Sequence, residues 1–251
     1  MRSSDRLLEI LETLGSVEAM TLTQLAHRVD LTAPTVLRLL RALEERAWVT
    51  RLPSGAYAVG PQLLAAAGKA LQRDPLIAAA QIALEKLRAE LDETVSLTVA
   101  ADTQRVCLIE LESSQQLRFV HGVGTVGPLA AGASGKVLLA FSEPKLLDKV
   151  CDGPLEIYTE ATPGADDLRR QCADARKQGW AISSGERSRG ACAIAVPLIS
   201  PLTRAVYALT VFAPEARATA DSRREWLTAL QRTRDDIVHQ LIPDQTGVST
   251  P

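Results

Sequence analysis

No run of this chain is apolar for the roughly 20 residues that a bilayer-spanning helix needs. The opening MRSSDRLLEIL carries acids and a helical stripe where a secretory leader would carry an apolar core. A membrane partner is therefore not expected, and the cytoplasm is the expected compartment. Cysteine is scarce and scattered. Cys107, Cys151, Cys172 and Cys192 form no CxxC pair, so zinc-ribbon and thioredoxin-type chemistry is excluded, and buried free thiols in a reducing environment are expected. Histidine occurs only as His27, His121 and His239. There is no HxxxH and no nucleophile elbow, which removes the familiar metalloprotease and α/β-hydrolase designs. No cofactor or metal is expected. Excess charge is also missing: 28 basic against 30 acidic side chains leave a net charge of −2. Contact with a polyanion through bulk charge is excluded, and any such contact must be local.

What is present begins with Leu31 to Trp48, LTAPTVLRLLRALEERAW. Thr32 is placed to cap a helix, and Pro34 fits a first helical turn, where its missing N–H costs nothing. Val36, Leu39, Leu40 and Leu43 recur at i, i+3, i+4 and i+7 and give one apolar face. The other face carries Thr35, Arg38, Ala42 and Glu45, with a hydroxyl and a guanidinium near the helix start. Such groups suit phosphates and base edges in a major groove. Just upstream, TLTQLAHRV reads as a shorter helix with Thr21 and Gln24 at capping-box spacing. Only Asp30 and Leu31 separate it from Thr32. Downstream, Val49 to Leu52 and Ala56 to Val59 read as strands around a Pro53-Ser54-Gly55 turn. Two helices in tandem and a hairpin make a winged helix-turn-helix, so double-stranded DNA, as an operator or promoter, is the expected partner. The candidate contacts are Thr32, Ala33, Thr35, Arg38 and Arg41, with Arg28 and the wing-tip Ser54.

Charge agrees only locally. The first sixty residues hold seven arginines (2, 6, 28, 38, 41, 46, 51) and seven acids (5, 9, 12, 18, 30, 44, 45). Between Arg28 and Arg51, five arginines face Asp30, Glu44 and Glu45. Modest affinity per copy, and site recognition by a dimer or tetramer, are expected.

Before the motif, Ser4 to Leu14 predicts a helix buried through Leu7, Leu8, Leu11 and Leu14 and stopped by Gly15; Arg2 precedes it as a candidate arm. After Gly60-Pro61, QLLAAAGKALQ predicts a helix with Leu64, Ala67 and Leu71 on one side. Asp74-Pro75 starts another, to about Leu91, with Ile77, Leu84, Leu87 and Leu91 inward. Period two then predicts strands at Thr94 to Ala100, Arg105 to Leu111 and Leu117 to Val120. Gly122, Gly124 and Gly127 spell GxGxxG, but Pro128 follows and no βαβ unit precedes, so a dinucleotide loop is rejected. Helices are predicted from about Ser134, over Lys145 to Cys151 and over Ala165 to Gln178, with Leu155 to Tyr158 extended between the last two. Strands follow in GWAISSGERSRGACAIAVPLIS and AVYALTVFAP. A closing helix, with Ser222 and Glu225 as a capping box, carries Trp226, Leu227, Leu230, Ile237 and Leu241. Three strands, helices and three strands imply an antiparallel sheet flanked by helices.

TLTQLAHRVDLTAPTVLRLLRALEERAWV, the wing ending YAVG, GASGKVLLAF and the Gly179, Glu186, Gly190, Ile194, Ala195, Pro197 pattern resemble the IclR family of bacterial transcription regulators. The resemblance covers about the whole chain. It implies an α+β protein: a winged helix-turn-helix DNA-binding domain (1–60), a linker helix (61–73) that often touches a partner subunit, a GAF-like effector-binding domain (74–243) and a flexible tail (244–251). It implies a small-molecule effector between the sheet and the loop from Gly122 to Ser134, at Ala133, Ser134, Ser183, Ala193, Thr210 and Phe212. Ala47 departs from the pattern by replacing a glycine, so the helix before it is expected to close differently. Ser183 replaces an acid and Ala193 a cysteine. The alanines and Phe212 make the expected effector a small organic acid with an apolar or aromatic body. Hydroxyls of Ser134, Ser183 and Thr210 would orient it, and helix-terminal amides would hold its carboxylate. Effector binding would then bias the spacing of two DNA-reading domains.

An enzyme is the alternative. His121 with Glu186 could form an acid–base pair, and the cysteines could sense oxidants, although nothing near them would lower a thiol pKa. No catalytic residue is assigned.

Overall fold

The computed structural model describes residues 3–242. The chain divides between Asp74 and Pro75 into two compact units. Arg2 and the tail 244–251 lie outside the described residues.

The amino-terminal unit runs α1 (Ser3–Gly15), α2 (Leu22–Arg28), α3 (Ala33–Glu44), β1 (Val49–Arg51), β2 (Tyr57–Val59) and α4 (Pro61–Arg73). The α2 capping box forms: the Thr21 hydroxyl accepts from the Gln24 N–H at 3.3 Å, and Gln24 Oε1 accepts from the Thr21 N–H at 2.9 Å. Val36, Leu39, Leu40 and Leu43 of α3 meet Ile10, Leu14, Leu25, Val29, Val49 and Tyr57 in one core. Two expectations fail here. Leu8 is exposed at 59%, and Ile10 takes the buried place in α1. At 100° per residue Ile10 and Leu14 share a stripe that Leu8 misses. Thr32 stands at the N-cap of α3, but its hydroxyl bonds the Thr35 hydroxyl at 2.9 Å rather than a backbone amide. The α3 end also corrects the sequence. Trp48 N–H bonds Leu43 C=O and Ala47 N–H bonds Glu44 C=O, each at 2.9 Å, with Ala47 at φ +57°. This is the Schellman closure that glycine normally makes, here with alanine in the left-handed position. Helix α4 buries no residue of its own.

The second unit runs α5 (Pro75–Leu91), β3 (Thr94–Ala101), β4 (Gln104–Leu111), β5 (Val126–Pro128), α6 (Ala133–Phe141), α7 (Pro144–Asp152), α8 (Ala165–Gln178), β6 (Ala181–Ser184), β7 (Ala191–Ile199), β8 (Val206–Pro214) and α9 (Ala220–Leu241). Six antiparallel strands lie in the order β5-β4-β3-β8-β7-β6. Alternation sorts the two faces. Val95, Leu97, Ile194, Val196, Leu209 and Val211 pack with α5 and α9 residues such as Leu84, Leu87, Trp226 and Leu230. The opposite face carries small residues, including Ala195 and Ala208, which pack with Val137, Leu138, Leu168 and Cys172 of α6 and α8.

Leu117 to Val120 is not a strand; the third strand is Val126–Pro128. Leu117 and Val120 are solvent-exposed, and the chain next to them turns inward because Glu110 Oε1 accepts the N–H groups of His121 (3.0 Å) and Gly122 (2.7 Å). Leu155 to Tyr158 pairs with no strand among the described residues. The cap of α9 is Thr219, whose hydroxyl accepts from Ser222 N–H at 3.2 Å, rather than the expected Ser222–Glu225 box.

Candidate functional site

Two sites arise, one on each unit. On the amino-terminal unit, burying Val36, Leu39, Leu40 and Leu43 turns the other side of α3 outward. Thr32, Arg38 and Arg41 are exposed, and Ala33 and Thr35 are half-exposed. Arg28 at the end of α2 and Ser54 at the hairpin tip are exposed as well. Tyr57, bridged through its backbone to Met20, anchors the hairpin, and the Arg51 guanidinium lies over its ring at 5.7 Å. All seven candidate DNA contacts are thus accessible to a partner, on the second helix of the motif, the end of the first and the wing.

On the second unit, a cavity of about 80 Å³ opens between the small-residue face of the sheet and the loop leading to α6. All six candidate effector residues, Ala133, Ser134, Ser183, Ala193, Thr210 and Phe212, line it, with Thr98, Arg105, Cys107, Glu110, Phe119, His121, Glu186 and Arg187 among the other walls. Its size suits a compact molecule rather than a nucleotide.

The sequence reading missed the charged part of this wall. Arg105 is 7% exposed and donates to the Pro128 carbonyl and, at 2.8 Å, to the Ala131 carbonyl. Burial, and then the neighbouring Arg187 guanidinium, lower its pKa to about 10, so it stays charged at neutral pH. Among the described residues, no carboxylate lies within ion-pair distance of either guanidinium. Arg187 rests on Gly127, where a Cβ would fall 2.8 Å from Nη1. The last glycine of the GxGxxG string therefore makes room for a side chain rather than a pyrophosphate. Arg105 reaches the cavity through a β-bulge. Leu97 pairs with Ile109, but Thr98 pairs with Cys107, so Leu108 is the extra residue. The bulge reverses the alternation, putting Ile109 with the α5/α9 core and Cys107 and Arg105 with the cavity.

A buried ion pair fixes the inner edge. Lys136, 3% exposed, donates to Glu186 Oε1 (2.5 Å), Gln171 Oε1 (2.8 Å) and the Ile182 carbonyl (2.5 Å). Glu186 Oε2 accepts the Gly132 N–H at 2.9 Å, and the Ser183 hydroxyl accepts the Ala133 N–H at 3.1 Å. Two leading amides of α6 that were expected to hold a carboxylate are therefore already engaged by the protein. His121 does not pair with Glu186: its Nδ1 lies 3.8 Å from Glu110 Oε2, and its ring is tilted against Phe212 at 4.9 Å. Burial, then Arg187 and Arg105, push its pKa down to about 4, which keeps it neutral at pH 7. Burial likewise raises the Cys107 and Cys172 thiols to about 12, the opposite of a reactive thiolate. All four cysteines are buried and free.

The family model for the bacterial transcriptional regulator IclR C-terminal region matches residues 68–239, and that for the IclR helix-turn-helix domain matches residues 3–53. This chain belongs to the IclR family. Among IclR relatives, the HTH-type transcriptional regulator TtgV of Pseudomonas putida is 33% identical over 219 residues, 86% of this chain and 83% of that protein. A solved IclR transcriptional regulator from Silicibacter sp. TM1040 superposes with a TM-score of 0.88 at 27% identity, covering 96% of each chain. A solved IclR homolog from Microbacterium hydrocarbonoxydans, complexed with 4-hydroxybenzoate, gives a TM-score of 0.79 at 24% identity over 94% of this chain and 97% of its own. The IclR chain described here is accordingly a transcription regulator with a DNA-binding domain, in a family of regulators rather than enzymes. No helix among its described residues is long and apolar enough to cross a membrane.

Proposed function

We propose that this regulator binds its operator through α3 and the wing, and that a small organic acid in the 80 Å³ cavity modulates that binding. The observation that carries the effector half is the buried Arg105 beside Arg187 without a carboxylate partner. Two guanidiniums in a low-dielectric wall repel each other, and a bound carboxylate would offset that repulsion with charge-assisted, bidentate hydrogen bonds. Phe119, Phe212 and the neutral His121 supply an apolar, ring-shaped surround for the rest of the ligand. The Microbacterium homolog holds a ligand of this kind. At its level of identity that likeness speaks for the fold, so the acid proposed here rests on the arginines.

The DNA half assigns Arg38 and Thr35 to the groove, Thr32, Ala33 and Arg41 to the same face, and Arg28 and Ser54 to flanking phosphates. The local excess of arginine is small, so two copies on two half-sites, as a dimer or a pair of dimers, supply the phosphate contacts. The exposed Leu64 and Leu71 of α4 favour self-association near the linker. The cytoplasm is the proposed compartment. The test is fluorescence anisotropy on a labelled duplex from the region upstream of its own gene. Arg38→Ala weakens binding about tenfold or more with an unchanged melting temperature. Thr210→Phe, which fills the cavity, leaves DNA affinity in place and removes the acid response. Unchanged affinity in Arg38→Ala rejects the assigned reading helix.

A further inference from the structure

The first turn of α3 holds no side chain that pairs bidentately with a purine. Thr32, Ala33, Pro34 and Thr35 carry no guanidinium, ammonium or carboxamide, the groups that bond guanine or adenine in that way in a major groove. All four are exposed or half-exposed. The Thr32 and Thr35 hydroxyls bond each other at 2.9 Å, and the Thr32 hydroxyl caps no backbone amide. One of the two hydroxyl protons is thus spent within the protein, and the two side chains stand together on the surface. Beside their hydroxyls, this turn offers a partner two threonine methyls, the Ala33 methyl and the Pro34 ring. Arg38 follows one turn on, exposed. The far end of α3 carries Glu44 and, at its cap, Glu45, both exposed. Two carboxylates facing a polyanion are unfavourable, so close contact is confined to the earlier turns.

We infer that the hydroxyl-linked pair Thr32 and Thr35 selects thymine, by packing its methyl groups against the thymine C5-methyl, and that Arg38 selects a guanine beside it. This rests on the assignment of α3 to the major groove above and deepens it to a base sequence. Of the four bases, thymine alone presents a methyl group in that groove, and guanine presents two acceptors, O6 and N7, that match a guanidinium. Three residues of helix rise about 4.5 Å, and base pairs stack about 3.4 Å apart. The thymine and the guanine therefore lie within one or two base pairs of each other in each half-site.

The test starts from a library of duplexes with a randomised core, selected on the full-length protein and sequenced, with affinities then measured by anisotropy on the enriched duplex. The enriched half-site carries a thymine within one or two base pairs of a guanine. Replacing that thymine by deoxyuridine, which removes only the methyl, weakens wild-type binding about threefold or more per half-site. Thr32→Val/Thr35→Val keeps the methyls and the preference for thymine. Thr32→Ser/Thr35→Ser keeps the hydroxyls and binds the thymine and deoxyuridine duplexes alike. Arg38→Ala binds more weakly, loses the preference for guanine and keeps that for thymine. An enriched half-site without such a thymine, or equal wild-type affinity for the two duplexes, overturns the inference without recourse to any variant and leaves α3 as the reading helix. A valine variant that melts as wild type yet no longer discriminates the duplexes also overturns it, by showing the hydroxyls to be the reading groups, as does a serine variant that still discriminates them. A library that yields no enriched sequence, or an enriched duplex bound as tightly by Arg38→Ala as by wild type, overturns the reading helix itself and this inference with it.

Discussion

Ala47 holds a backbone conformation that costs an L-residue about 1–2 kcal/mol and glycine almost nothing. Its side chain is exposed, so the methyl group has little packing to lose. Ala47→Gly is expected to stabilise the amino-terminal unit by about 0.5–1 kcal/mol, less than the full strain because glycine also gains freedom in the unfolded chain. A urea midpoint shifted upward checks this, and a downward shift shows that the methyl group contributes. The substitution was legible as a departure from the family pattern, but its consequence was not. The sequence left open whether the backbone would change or the residue would bear the strain, and the backbone won because Gly60 must lie against the Ala47 carbonyl. A Cβ at Gly60 would sit 2.2 Å from that oxygen, leaving little room for a different closure. Cavity residues carried over from the family pattern line one cavity, whereas Arg105 was invisible for a specific reason. Its strand alternates as expected, but the bulge at Leu108 reverses which side faces the cavity, and alternation has no mark for an inserted residue.

At the level of elements, α6 is the part on which the cavity depends. Its first turn is held from outside, by Glu186 on Gly132 and Ser183 on Ala133, and its Lys136 returns to Glu186. Removing one member of a buried pair leaves an uncompensated charge, at a cost of about 3–5 kcal/mol. Lys136→Met is expected to lose stability of that order by urea denaturation. Lys136→Met/Glu186→Gln should recover part of it, because a glutamine carbonyl still accepts the Gly132 N–H. A loss below about 1 kcal/mol for the single variant contradicts the pair's role in fixing α6. Long periodic elements such as α3, α8 and α9 were legible because their apolar stripes are strong. The short strand β5 was not. Leu117 to Val120 alternates better than Val126–Pro128, but Glu110 draws the intervening loop inward through backbone amides, and that contact lies eleven residues away in the chain. The capping of α9 moved to Thr219 because the helix opens at Ala220, which makes the Ser222 N–H itself one of the first-turn amides, and the Thr219 hydroxyl accepts it.

For the whole molecule, the two units bear different chemistry: an outward helix face with arginines, and a hollow walled by Arg105 and Arg187, by Glu110 and Glu186, and by rings. The order of domains was legible from motif spacing, because a winged helix-turn-helix and a sheet interrupted by helices each leave a distinct periodicity. What one unit does to the other is a free-energy question. If the acid changes operator affinity by a factor, the operator changes acid affinity by the same factor, typically about 5–150-fold. The measurement that tests this most directly is the operator dissociation constant of the full-length protein, by anisotropy, with and without a saturating hydroxybenzoate, paired with the calorimetric affinity of that acid with and without operator bound. The expected result is a change of about fivefold or more in the first and an equal factor in the second, both lost in Thr210→Phe. An acid that binds the cavity yet leaves operator affinity unchanged contradicts the claim that the cavity governs DNA binding.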